Sequence, residues 1–218
     1  QPFWLKSTRS RACPQRFSDP GSLANFEAMR VIAGLGNPWP VPKQSRHNLG
    51  ALVVEALAST FGLERDWCWH WGCLSWICWV RLGEQSESGE GAAAERGEEG
   101  ECPSVRTATS VPADCRIALV LPSVPYNFSG FAVRRALDEL GAQVEDLIVL
   151  HDDIDLSPGR HSLKAAGSAG GNRGVRSVQD SLGTDRVRRL RLGVGRPPSG
   201  GRIPAAIMTH VLGQLEED

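Results

Sequence analysis

The sequence predicts an α/β fold: a single domain built on a mixed, mostly parallel twisted sheet flanked by helices, an α/β/α sandwich. Three observations carry this. Short apolar runs at residues 30–33, 115–121, 147–150 and 190–194 have the length of strands, and LIVL at 147–150 is apolar without alternation, as a strand buried on both faces is. Between them, residues 50–61, 130–140 and 174–182 repeat apolar side chains at helical spacing. At 218 residues, 41% hydrophobic and 22% charged, the chain can bury one good core.

Residues 1–28 contain Lys6, Arg9, Arg11 and Arg16, several serines and no acid before Asp19, a composition compatible with a mitochondrial transit peptide. Met29 stands directly before the first strand, so a plain leader competes with that reading. The expectation is a leader or disordered segment over 1–28, a domain over 29–218, and a mitochondrial or cytoplasmic location.

After the strand at 30–33, GLGNPWP makes a Gly/Pro turn. Ser45, Arg46, His47 and Asn48 precede the helix at 50–61, in which Leu52, Val53, Ala56 and Leu57 share a face. Asn37 and His47 therefore both lie in the loop of a strand-loop-helix unit. A general base needs a partner that orients it or its water, and this pair has that composition.

Residues 67–80, WCWHWGCLSWICWV, hold five of the seven tryptophans, and Trp67, Trp69 and Trp71 alternate as a strand face does. Core strand and exposed hairpin both suit the stretch. Cys68, His70, Cys73 and Cys78 follow no standard zinc spacing, so neither metal nor cofactor is expected. The six cysteines form no dense framework and read as reduced thiols of an intracellular protein. A low-complexity insert over 83–103 follows, with seven glutamates and one arginine within 84–101.

CRIALVL at 115–121 is a strand leading into the turn PSVPYNFSG. Ala132, Val133, Ala136, Leu137 and Leu140 then line one side of a helix. Asn127 falls after a strand and before a helix, as Asn37 does. Its N-x-S context fits a glycosylation acceptor, but nothing else points to secretion. No run approaches the roughly 18 apolar residues of a membrane span, so no membrane partner is expected.

His151, Asp152, Asp153 and Asp155 fall where the strand at 147–150 ends. In open α/β sheets ligands bind at the carboxyl ends of strands, which makes this acid cluster a candidate site. Gly167, Gly170, Gly171 and Gly174 follow in a loop whose backbone can approach a ligand closely. The net charge of -1 hides an asymmetry: within 160–202 ten arginines and lysines face only Asp180 and Asp185. A basic region beside an acid cluster suits a phosphate-bearing substrate.

GLGNP, then SRHN, YNFSG, HDDIDLSPG, the GG-x-x-G of the glycine loop and RLRLGVGRP are similar in order and spacing to the bacterial-type peptidyl-tRNA hydrolases, over residues 31–65 and 116–213. The resemblance implies a monomer that hydrolyses the ester joining a peptide to the terminal ribose of tRNA. His47 would be the general base, and Asp152 would orient it. Asn37 and Asn127 would serve the substrate and the water, with Tyr126, Asn172 and Arg173 among the substrate contacts. Lys164 and Arg191 match the family's clamp on the tRNA 5′-phosphate. The chain departs from the family in several places, the tryptophan- and glutamate-rich insert among them. Arg173 follows Asn172 where the family has Asn after His, Pro125-Tyr126 replaces a Phe-Met pair, and the family continues into a further helix beyond HVLG, a helix that would cover part of the sheet face.

Two other classes compete. One is an RNA-binding protein that keeps the hydrolase fold with weak or no catalysis, suggested by Arg173. The other is a dinucleotide-binding oxidoreductase, because GLGNP is a glycine turn after a first strand. GLGNP lacks the full G-x-G-x-x-G, and no acid follows about 20 residues on at a second strand's end.

Overall fold

A computed structural model describes residues 28–38, 40–82, 115–198 and 204–215. The expected leader, apart from Ala28, and the expected insert at 83–103 lie outside the described residues. The strands are β1 (Ala28–Gly34), β2 (Cys68–His70), β3 (Ser75–Leu82), β4 (Cys115–Pro122), β5 (Leu147–Asp153), β6 (His161–Lys164) and β7 (Arg188–Gly193). The helices are α1 (Leu49–Thr60), α2 (Ser129–Leu140), α3 (Arg173–Leu182) and α4 (Pro204–Leu212).

All seven strands join one sheet in the order β2-β3-β4-β1-β5-β7-β6. The central β4, β1, β5 and β7 run parallel, and β3 and β6 join antiparallel on either side. The expected mixed, mostly parallel sheet is therefore present, and its order differs from that of a dinucleotide-binding domain. Because β4, β1 and β5 are neighbours, the loops after their carboxyl ends open side by side. Those loops carry Asn127, Asn37 and the acids that follow Asp152.

The alternation of each central strand divides the core between two layers. Val31, Ala33, Leu147 and Val149 pack with Val133 and Val175 of α2 and α3. On the opposite face Leu119 and Leu150 meet Val54 and Ala58 of α1. Each fully buried valine or leucine contributes about 1.5 to 3 kcal/mol. The run at 147–150 is apolar throughout because β5 serves both layers.

α1 is seated unusually close to the sheet. A Cβ on Gly50 would lie 2.2 Å from the Leu150 carbonyl oxygen, so only glycine permits this approach. The close seat brings the turn before α1, which holds His47, against the end of β5.

The tryptophan-rich stretch is a hairpin. β2 pairs antiparallel with β3, and β3 with β4. Cys73, Ile77, Cys78 and Val80 are buried, whereas Trp71 lies in the turn and is exposed. β3 is thus a core strand, while β2 is half-buried and exposure is confined to the turn at Trp71 and Gly72. Two elements have no counterpart in the sequence reading, β6 and α4. Among the described residues no helix is long and apolar enough to cross a membrane.

Candidate active site

His47 sits in a single 3₁₀ turn, Arg46–Asn48, that leads into α1. Its Nδ1 lies 2.9 Å from both Oδ1 and Oδ2 of Asp152. Asp152 is itself in β5, almost fully buried, whereas His47 remains partly open. A carboxylate only accepts hydrogen bonds, so it holds the proton of neutral His47 on Nδ1 and leaves a lone pair on Nε2.

The turn that carries His47 is braced from two directions. Asn48 is buried; its Oδ1 accepts from the Asn37 backbone N–H at 2.6 Å, and its Nδ2 donates to the carbonyls of Pro42 and Lys43. From the other side, the Arg46 N–H donates to the Gly213 carbonyl and the Leu215 N–H to that of Gln44. The segment after α4 thus packs directly on the His47 turn.

Asn37 follows β1 and reaches across to the next strand end, its Oδ1 accepting from the Tyr126 N–H at 2.9 Å. Tyr126 and Asn127 lie in a second 3₁₀ turn, Tyr126–Phe128, that leads into α2. Asn127 is exposed and Tyr126 is buried. The Tyr126 hydroxyl donates to Asp152 Oδ1 at 2.7 Å, and its ring stacks on the His47 imidazole. The structure therefore joins Asn37, His47, Tyr126 and Asp152 in one network. Asn172 completes it: its Oδ1 accepts from the Val175 N–H as the cap of α3, and its Nδ2 donates to Tyr126 Oη and the Asp152 carbonyl.

The basic residues divide into two groups. Arg173 is exposed at the first turn of α3. Across the β6–β7 pair Ser162 faces Arg191 and Lys164 faces Arg189, which puts Lys164 and Arg191 on one face as diagonal neighbours. Arg191 Nε donates to Asp153 Oδ2 at 2.7 Å. Burial alone would raise the Asp153 carboxyl, but the Arg191 hydrogen bond, the Asp155 N–H and the Arg191 charge outweigh it and hold it below the usual carboxylate value. Arg189 differs from its place in the expected basic face: it is buried, and its Nη2 donates to the carbonyls of Gly167 and Ser168. It anchors the start of the glycine loop.

Asn48, Arg189 and Asp153 are the residues that the sequence reading did not assign to these tasks. Asn48 stands next to His47 in SRHN, and that adjacency was the available signal. Cys73 and Cys78 are no candidates for a nucleophile. Burial, reinforced by Glu139, pushes the Cys73 thiol up to about 12, and burial with the Asp66 charge takes Cys78 to about 11. A groove of about 570 Å³ runs from Asn37 and Asn48 to Trp67 and Trp76. Its lining includes neither His47 nor Asp152, so it adjoins the His47–Asp152 network at Asn37.

A buried carboxylate holding an accessible imidazole, at the carboxyl ends of parallel strands and beside amide side chains, defines a site for general-base chemistry on a bound molecule or water. Residues 86–218 match the family profile of peptidyl-tRNA hydrolase. The peptidyl-tRNA hydrolase of Moorella thermoacetica is 35% identical over 173 residues, covering 79% of this chain and 74% of that protein. That of Geobacillus kaustophilus is 32% identical over 190 residues, covering 87% and 82%. The crystal structure of peptidyl-tRNA hydrolase from Acinetobacter baumannii superposes with a TM-score of 0.63 at 25% identity, covering 88% of this chain and 80% of that one. This chain belongs to the peptidyl-tRNA hydrolase family.

Proposed function

We propose that this protein hydrolyses the ester of peptidyl-tRNA, releasing peptide and free tRNA, and that His47 is its general base. The observation that carries the reading is the Nδ1 contact of His47 with both oxygens of Asp152. With Nδ1–H committed to Asp152, Nε2 takes a proton from water as the water oxygen bonds to the ester carbonyl carbon. The tetrahedral intermediate collapses by breaking the bond to the ribose oxygen, and the imidazolium returns its proton to that leaving oxygen. Asp152 stabilises the imidazolium in between.

Asn37 spends its Oδ1 on Tyr126, so its Nδ2 is the donor it offers to substrate or water. Asn127 is exposed at the adjacent strand end, where its amide serves the same cleft. Lys164 and Arg191 share a face of the β6–β7 pair and form the 5′-phosphate clamp, with Arg173 adding positive charge at the mouth of α3. The resemblance to the family supports action as a monomer. The basic, acid-poor 1–28 segment supports a mitochondrial address, with the cytoplasm as the alternative.

Release of peptide from an N-blocked aminoacyl-tRNA tests the reading. Wild-type protein should release it, and His47→Ala should lower kcat about 100 to 10,000-fold, the range of a general base. Folded wild-type protein that leaves the ester intact would overturn the proposal.

A further inference from the structure

Tyr126 touches every other member of the network, Asn37, His47, Asp152 and Asn172. Its hydroxyl donates to Asp152 Oδ1 at 2.7 Å and accepts from Asn172 Nδ2 at 3.0 Å. Its ring lies on the imidazole of His47, centroids 3.5 Å apart and planes 24° apart. It also rests on the backbone at the start of α3, since a Cβ on Gly174 would come within 2.2 Å of Tyr126 Cε1. The resemblance placed Tyr126 among the substrate contacts, yet it is only 3% exposed. It meets the reacting atoms through His47 and Asp152.

We propose that Tyr126 is a positioning residue of the hydrolytic site, its hydroxyl holding Asp152 in register with His47 and its ring fixing the plane of the imidazole. The inference rests on the general-base reading above. A carboxylate held only by His47 is free to turn about χ2, a broad, soft torsion. With a phenol on Oδ1 the carboxylate plane is set, and both of its oxygens remain in reach of Nδ1. Asn172 fixes the phenol in turn, from the cap of α3, so the helix, the tyrosine, the aspartate and the histidine form one chain of hydrogen bonds.

The phenol is suited to a donor's task. Burial first, then the Asp152 charge and the hydrogen bond to it, keep the hydroxyl protonated far above the ordinary phenol range; the Asn172 bond acts weakly the other way. Donation from Tyr126 also draws charge from Asp152, leaving less of it for the imidazolium. Among the described residues the other titratable groups near the pair are His151 and Asp153 from β5, with Asp153 already paired to Arg191.

Tyr126→Phe keeps the ring and removes the hydroxyl; Tyr126→Leu removes both. In Tyr126→Phe the acidic limb of the kcat/KM profile should move up, because Asp152 then acts on the imidazolium alone. KM should stay within about twofold of wild type, as expected for a residue that contacts no substrate. In Tyr126→Leu, kcat should fall about tenfold or more with KM likewise unchanged. The nuclear magnetic resonance titration of the His47 ring, recorded on free protein, should move up in Tyr126→Phe by the same amount as the limb. An unmoved limb and an unmoved His47 titration in folded Tyr126→Phe would overturn the proposal. So would a raised KM with limb and kcat in place, which returns Tyr126 to the substrate. The His47 titration needs no turnover, so wild type without peptide release sinks the proposed function while the resonance comparison still decides the role of Tyr126.

Discussion

His47 Nδ1 stands 2.9 Å from each carboxylate oxygen of Asp152, although 105 positions separate the two residues in sequence. Two architectural facts bring them together. β1 and β5 are hydrogen-bonded neighbours, and Gly50 lets α1 approach the Leu150 carbonyl closely enough to carry its leading turn over the end of β5. Asp152→Asn tests what this contact does. An amide in place of the carboxylate can offer an N–H to Nδ1 and reverse the tautomer, moving the lone pair away from Nε2. We expect kcat to fall about 100 to 1,000-fold with KM unchanged, read by single-turnover peptide release on protein of unchanged circular dichroism.

Gly174→Ala should damage stability and catalysis together. The new Cβ would lie 2.2 Å from Tyr126 Cε1 and 2.6 Å from Cδ1, and the ring cannot yield without leaving His47 and Asp152. Overpacking of this kind costs about 1 to 3 kcal/mol. Urea unfolding should report that loss, and kcat should fall at least as far as in a Tyr126 variant. Wild-type kcat in the alanine protein would show that the ring's place is immaterial.

Arg173 occupies the first position of α3 with no acid in the first turn. A cation at the positive end of a helix is unfavourable by about 0.3 to 1 kcal/mol. Arg173→Asn should therefore raise stability by roughly that amount in low salt. If the arginine serves the anionic substrate, the same variant should raise KM and flatten its salt dependence. Thermal melts and KM at two ionic strengths check both halves.

Asn37, His47 and Asp152 were visible as candidates because strand ends and helix starts are legible. Asn37 follows the apolar run of β1 and Asp152 falls near the end of β5, two strands that the sheet order puts side by side, while His47 shares the loop of Asn37 just before α1. The second ring of contacts was not legible, for a physical reason. Tyr126 in a Pro-rich turn has several rotamers open to it, and only the closeness of Gly174 and the cap of α3 select the one that reaches Asp152. Asn172, one place before the position that the family's Asn occupies, enters the site by capping α3, which no spacing argument anticipates. Arg189 looked like surface charge because burying an arginine requires carbonyl partners that lie 21 and 22 residues away. β6 was missed because four residues alternating between exposed and half-buried leave too little periodicity to read. α4 did carry a signal in Pro204, a residue favoured at the first position of a helix.

Asp153 links the site to acid stability, and the sign follows from its surroundings. Burial opposes ionisation, yet the hydrogen bond from Arg191 Nε, the Asp155 N–H and the Arg191 charge prevail, so the folded carboxyl titrates below its unfolded value of 3.8. A group depressed in the folded state stabilises the protein above the unfolded value and loses that contribution as pH falls through the folded one. The stability difference between wild type and Asp153→Asn should thus be constant above about pH 5 and shrink as the pH drops below roughly 4. Denaturant titrations at several pH values measure it. The same substitution frees Arg191 from its 2.7 Å partner beside Lys164 on the β6–β7 face. Binding of a tRNA bearing a 5′-phosphate should then tighten relative to tRNA lacking it. Equal affinities for the two tRNAs, in wild type and variant alike, would remove Arg191 from the proposed clamp.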